Sequence, residues 1–324
     1  MCEPVRELPT AQIDEEDATY RISSPGDIQE LASSLQAIGL INPPILEQVE
    51  AKCRIVCGFK RIQAARLLNW TAVTARVLPP QSSPRKCTQI AVADNSVTRN
   101  LDIVEQARAL KLLERFIDGD EALIEAGQKI NLPLNRAMIE KLRLVNEMKP
   151  VLQNGLVTGA ISLPIAIRLH HWQDYPAMEV TGRLMNALNM SLNRQREMLD
   201  WFEGILSREK TTLHEIFESL DIERILRDED MDRRMKIDVI RAVLKKRRYP
   251  AIVARENHYH ELVKKLSVPG GCQLTHPPFF EGSVYSVKID FRTHAELVEL
   301  LEKMNKLAQS QGMQDLLSHL SYNQ

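Results

Sequence analysis

Residues 55–66, IVCGFKRIQAAR, place a glycine and two cations where a strand would hand over to a helix. A helix start presents unpaired backbone N–H groups and a partial positive charge. Gly58 would let an anion approach the backbone, and Lys60 and Arg61 would add charge-assisted hydrogen bonds. That chemistry suits phosphate. The same residues also fit a solvated basic face on a helix packed through Ile62, Ala65 and Leu68, and local sequence leaves both readings open. A second segment, residues 94–107 (DNSVTRNLDIVEQA), offers Asp94 and Asn95 as hard oxygen donors of the kind a Mg²⁺–nucleotide site uses beside phosphate oxygens. Arg99 could pair with phosphate or with Asp94. Asp102 has the position of an N-cap, with Glu105 three residues on to complete a capping box.

The elements that must position these residues follow from periodicity. Residues 28–38 put Ile28, Leu31, Leu35 and Ile38 on one helical face, with Gly39 as its C-cap. Two strands should flank a turn at Glu50–Lys52, the second ending at Gly58. The basic helix 59–69 follows, and then a strand over 71–79 with Val73, Ala75 and Val77 pointing inward. After a 79–84 loop the pattern turns helical, at about 86–95, 103–117, 120–130 and 136–147. Residues 156–172 read as a turn and a helix, and 178–247 as several more helices. Pro150, Pro164 and Pro250 read as boundaries. Two short strands around a Pro/Gly turn (268–291) and an amphipathic helix (293–308) close the chain.

The 324 residues suggest two or three domains. No run of 18 apolar residues predicts a membrane span, the acidic start lacks the apolar core of a leader, and five irregularly spaced cysteines argue against a disulfide framework. A reducing cytoplasm is the expected compartment. Residues 1–50 hold two basic and ten acidic side chains, net −8, whereas 51–150 hold seventeen and ten, net +7. Such a split points to an anionic ligand on the second segment or to ordinary surface variation. Cys53 and Cys57 read as core thiols. His258, His260, His170 and His171 lack the further ligands a metal would need. Lys245–Arg248 ends a helix, where cations complement the macrodipole or could touch a phosphate backbone.

In order and spacing, these segments resemble the N-terminal domain of ParB-type chromosome and plasmid partition proteins. The family's G-x-x-Q-P-I turn corresponds to Gly39-Leu40-Ile41-Asn42-Pro43-Pro44-Ile45, and its G-E-R-R-x-x-A-A helix to Gly58-Phe59-Lys60-Arg61-Ile62-Gln63-Ala64-Ala65. Its E-N-x-x-R and L-x-x-x-E-x-A segments correspond to Asp94-Asn95 and to Leu101 with Glu105-Gln106-Ala107. The resemblance covers residues 18–117 and extends more weakly to about 172. It implies an α+β fold: a small ParB/sulfiredoxin-like domain (1–117), a helix-turn-helix domain (118–175), and a mostly helical C-terminal region (176–324), a candidate for dimerisation, with a short hairpin and helix. It implies CTP with Mg²⁺ as cofactors. Phosphate contacts would fall on Gly58, Lys60, Arg61 and Ala64, nucleobase contacts near Asn42 and Pro43, and metal or phosphate contacts near Asp94 and Asn95, with Arg99 a further nucleotide-binding candidate. Phe59 replaces the family's Glu, and Lys60, Asn42 and Asp94 replace Arg, Gln and Glu. Thr98 stands at the Arg position, with Arg99 one residue late. No catalytic residue is therefore expected, and turnover should be slow or absent.

Residues 121–145 read as a helix-turn-helix or as a plain helical hairpin; the resemblance favours the first. Leu123, Ala126 and Ile130 would face inward from the first helix, and Met138, Leu142 and Val145 from the second. Asn135 would cap the second helix. Asn135, Arg136, Lys141 and Arg143 are the candidate DNA contacts, the first two nearest base edges. The expected function is a nucleotide-gated, DNA-binding, nucleoid-associated protein of partition or transcription regulation. It would act as a homodimer and could work with a ParA-like ATPase. The alternatives are a nucleotide-using enzyme of the same fold, similar to sulfiredoxin or small-molecule kinases, and a non-catalytic protein-interaction paralogue.

Overall fold

A computed structural model of the chain describes residues 5–24, 26–80, 82–172, 174–280, 282 and 284–321. Gln81 of the expected 79–84 loop, and Glu281 and Ser283 of the expected terminal turn, lie outside the described residues. Contacts divide the chain into two units, Met1–Gln195 and Arg196–Gln324.

The first unit opens with β1 (Val5–Pro9), β2 (Ile13–Asp14), α1 (Gln29–Ile38), β3 (Ile45–Val49), β4 (Lys52–Cys57), α2 (Phe59–Leu67) and β5 (Ala72–Leu78). The five strands form a mixed sheet in the order β1-β5-β3-β4-β2. The hairpin β3–β4 is antiparallel, turning at Glu50 with positive φ, and β3 pairs β5 in parallel. Along β5, Val73, Ala75 and Val77 alternate inward as expected. Helices α1 and α2 cover this sheet through Ala32, Leu35, Ile62 and Ala65 against Leu46, Cys53, Ile55 and Ala75. The α1 face is rotated from expectation. Ala32 is buried, whereas Ile38 is 65% exposed. Gly39, at φ 76°, ends the helix by donating its N–H to the Leu35 carbonyl at 2.9 Å. Burial, and after it the Asp94 carboxylate, push the Cys57 thiol up to about 12, in keeping with a core thiol.

Helices follow: α3 (Pro84–Thr98), α4 (Ile103–Leu113), α5 (Asp120–Lys129), α6 (Arg136–Glu147), α7 (Pro150–Thr158), α8 (Leu163–His170) and α9 (Tyr175–Leu188). Ser83 caps α3 by accepting the Lys86 N–H at 3.2 Å, and Asp102 with Glu105 forms the capping box of α4. The turn between α5 and α6 is anchored by buried leucines. Leu132 and Leu134 are buried, and a Cβ at Gly127 would lie 2.7 Å from the Leu132 carbonyl oxygen. On α6, Ile139 rather than Met138 joins Leu142 and Val145 in the core. Helix α7 was not expected.

Helix α10 (Leu192–Glu209) leads the chain into the second unit, which contains α11 (Leu213–Ser219), α12 (Ile222–Arg227), α13 (Arg233–Arg248) and α14 (Pro250–Lys265). Phe202 stacks on Phe217 with ring centroids 5.5 Å apart. The antiparallel hairpin β6 (Cys272–Thr275) and β7 (Ser286–Ile289) follows, then α15 (His294–Ala308) and an unexpected α16 (Gln311–Ser321). In the basic run ending α13, Lys245 pairs with Glu256 at 2.8 Å and Arg247 with Glu209 at 2.8 Å, while the Arg248 guanidinium lies 4.7 Å from the Tyr249 ring centroid. These local partners support a structural role for the run.

Candidate functional site

Gly58 connects β4 to α2 in a left-handed conformation (φ 95°, ψ 25°). A Cβ there would sit 2.7 Å from the Pro44 Cβ and 3.2 Å from the Arg61 Nε, so both conformation and space require glycine. No side chain caps α2, and its first intrahelical bond runs from the Ile62 N–H to the Gly58 carbonyl at 3.1 Å. The N–H groups of Phe59, Lys60 and Arg61 therefore lie ahead of the ladder, as a helix start requires.

A cavity of about 220 Å³ opens at this point. Gly58, Lys60 and Arg61 line one side, and Asp94, Asn95, Thr98 and Arg99 of α3 and its C-cap line the other. Two segments more than thirty residues apart in sequence thus meet around one space. Its volume falls below the usual range for a whole drug-sized ligand and suits the charged part of one. A larger open groove of about 690 Å³ lies beside Trp70, lined by Asp14, Glu15 and Glu16 among others. Lys52 and Arg66 line it too, and none of the expected site residues do.

Arg61 holds the entrance together. Its Nη1 donates to the carbonyl oxygens of Asn42 at 2.8 Å and Pro43 at 3.4 Å, and its Nη2 meets Asp94 Oδ2 at 2.9 Å. Asn42 and Pro43 are thereby brought to the same guanidinium. Ala64 lies in the core and outside the cavity lining. Asn95 donates its Nδ2 to the Ala91 carbonyl at 2.8 Å and accepts from Arg99 Nη2 at 3.2 Å. Arg99 does not pair with Asp94. Its backbone leaves α3 in an extended conformation (φ −159°, ψ 162°), and its guanidinium binds both carboxylate oxygens of Glu105, one at 2.9 Å. The shift of one residue from Thr98 to Arg99 therefore still leaves an arginine on the cavity.

Glu105 is 2% exposed and accepts the backbone N–H groups of Ser24 at 2.9 Å and Asp102 at 3.2 Å as well as Arg99. Burial alone would raise its pKa, but the Arg99 and backbone hydrogen bonds outweigh it and hold the carboxyl below the ordinary glutamate range. Arg108 donates to the Ile22 carbonyl at 3.1 Å and to Ser24 Oγ at 3.2 Å. Residues 22–24 are thus fastened to α4, and Ile22 and Ser23 join the cavity lining. Sequence reasoning missed this stretch, whose short polar composition does not reveal which side it faces. Phe59 is buried beneath Arg21, whose guanidinium lies 5.7 Å from the ring centroid.

The candidate DNA residues lie on α6. Asn135 caps it by accepting the Met138 N–H at 2.9 Å. Arg136 is exposed and paired with Glu121, and Lys141 is exposed. Arg143 is held by Glu114 at 2.7 Å and Asp120 at 2.8 Å, which ties α6 to α4 and α5.

Residues 2–96 match the family model of the ParB N-terminal domain. The "Probable chromosome-partitioning protein ParB" of Coxiella burnetii is 29% identical over 129 residues, covering 40% of this chain and 43% of that protein. A nucleoid occlusion protein of Halalkalibacterium halodurans is 30% identical over 130 residues, covering 39% and 43%. The chain thus spans less than half the length of these curated relatives. A solved structure of C-terminally truncated ParB from Caulobacter crescentus complexed with CTP-γ-S aligns at 19% identity and a TM-score of 0.27, covering 56% of this chain and 98% of that one. Over residues 2–96 the chain thus carries a domain of the ParB N-terminal type, and there it is similar to partition and nucleoid occlusion proteins.

Proposed function

We propose that the chain is a ParB-like protein of chromosome or plasmid partition or nucleoid occlusion, whose N-terminal domain binds CTP and whose α5–α6 pair contacts DNA. The observation that carries the nucleotide reading is the cavity joining the uncapped start of α2 to Asp94, Asn95 and Arg99. Backbone N–H groups, Lys60 and Arg61 would bind the phosphates, and Arg99 would complete the ring of charge. Asp94 and Asn95, whose oxygens face Arg61 and Arg99 in the structure, would become two hard donors for Mg²⁺ once those contacts open, the metal retaining waters and phosphate oxygens for the rest of its shell. The metal would neutralise phosphate charge when bound. The choice of cytidine rests on the family resemblance, which assigns the base to the Asn42–Pro43 turn. With the buried aromatic ring of Phe59 in place of a carboxylate at the start of α2, hydrolysis should be slow or absent.

On α6, the exposed Arg136 and Lys141 beside the Asn135 cap support the DNA reading. A homodimer and a ParA-like ATPase partner belong to the same proposal. Calorimetry with CTP and ATP in Mg²⁺ tests the nucleotide reading. CTP should bind more tightly than ATP, and Arg61→Ala should weaken binding about tenfold or more, the loss of one charge-assisted hydrogen bond. Unchanged affinity in Arg61→Ala, or no nucleotide binding by the wild type, contradicts it.

A further inference from the structure

The cations around the cavity are unequally engaged. Among the described residues Lys60 has no ion-pair partner, whereas Arg61 is held by Asp94 and Arg99 by Glu105. The two carboxylates differ in how firmly they are fixed. Glu105 is buried and anchored by two backbone N–H groups in addition to Arg99. The side chain of Asp94 is 31% exposed and is held by side chains, Arg61 at 2.9 Å and the Cys57 thiol, with no backbone N–H donating to it among the described residues. Arg61, for its part, does not depend on Asp94 for its place. Its other nitrogen is fixed by the carbonyls of Asn42 and Pro43. If Asp94 swung away, the guanidinium would stay where it is, with Nη2 free beside the cavity.

We propose that Asp94 is an internal counter-anion: in the nucleotide-free protein it occupies the phosphate position on Arg61, and a triphosphate binds by displacing it. This rests on the nucleotide reading of the cavity and adds a control to it. A site whose key cation is already neutralised binds an anion with an affinity reduced by the fraction of time the cation is free. The carboxylate would also keep other cellular anions off Arg61, since only a ligand with several phosphate contacts gains enough to expel it. A divalent cation drawn to Asp94 would favour the displaced arrangement, so the exchange sets a sign that a purely metal-binding role for Asp94 would not.

The test is calorimetry on the full chain with CTP and with inorganic triphosphate, comparing wild type, Asp94→Asn and Asp94→Ser, in EDTA and in Mg²⁺, with thermal melts to verify folding. In EDTA both variants should bind each ligand at least about tenfold more tightly than the wild type, the scale of a charge-assisted contact regained. In Mg²⁺ the gain should shrink or reverse. Equal or weaker binding by the folded variants in EDTA, while the wild type binds CTP in Mg²⁺, overturns the displacement and leaves the nucleotide site standing. No binding of CTP or triphosphate by any of the proteins in either condition overturns both.

Discussion

At the residue scale, the site depends on a few side chains whose roles are separable. Gly58 has no substitute. Alanine there would adopt a left-handed conformation and press its Cβ on Pro44 and Arg61. Gly58→Ala should cost about 1–3 kcal/mol in chemical denaturation and weaken nucleotide binding as well. Glu105 has a different signature. Its folded pKa lies below the ordinary value, so its contribution is fully present above the pKa of the unfolded chain and is lost as pH falls through the folded one. Glu105→Gln should therefore lower stability near neutral pH by about 1.5–3 kcal/mol, with the gap to wild type closing as the solution is acidified below the ordinary glutamate range. A gap that stayed constant with pH would show that packing, not charge, is what Glu105 supplies. The glycine, the two cations and the Asp94–Asn95 pair could be singled out in the sequence as a strand-to-helix junction and a pair of oxygen donors, and the structure brings them to one cavity. The partners were not. Nothing in the spacing says that Arg61 faces Asp94 or that Arg99 faces Glu105, because those pairings depend on the angle at which α3 crosses the end of β4.

At the element scale, the helix starts decide the architecture, and proline marks them. Pro84, Pro150, Pro164 and Pro250 all fall in the first turn of a helix, where a missing N–H costs nothing. Reading Pro150 as a boundary was correct, but reading it as a break hid α7. Strands β1 and β2 escaped notice for a different reason: β2 has two residues and β1 is largely exposed, so neither shows alternation. Helix α5 and the turn after it are tied to α3. Ser96 Oγ donates to the Ile130 carbonyl, and Asn131 Nδ2 donates to the Ser96 carbonyl at 3.0 Å. Because Ser96 directly follows Asp94 and Asn95, the same helix that lines the cavity holds the turn of the α5–α6 pair. Ser96→Ala should destabilise the first unit by about 1 kcal/mol, read as a shift in urea midpoint. Arg143→Ala should also act on stability, by about 1 kcal/mol, with DNA affinity changed little, since its guanidinium is committed to Glu114 and Asp120.

At the scale of the whole molecule, charge and the helical pair should govern DNA binding, and the cavity should govern nucleotide binding. Replacing Arg136 and Lys141 together by alanine should flatten the dependence of log affinity on log salt by about two units if both meet phosphate. If Arg136 reads a base instead, its loss should relax sequence preference at one position at a cost of about 1–3 kcal/mol. No site enriched from random DNA, together with no binding to non-specific DNA at low salt, would contradict the DNA reading. The central claim is that the start of α2 and the end of α3 form one triphosphate site, and hydrogen exchange tests it most directly. The N–H groups of Phe59, Lys60 and Arg61 precede the helical ladder. Adding CTP and Mg²⁺ to the full chain should slow exchange across residues 58–61 and 94–99. Binding with protection confined to other segments, such as the groove beside Trp70, or no change anywhere at saturating nucleotide, would contradict the account.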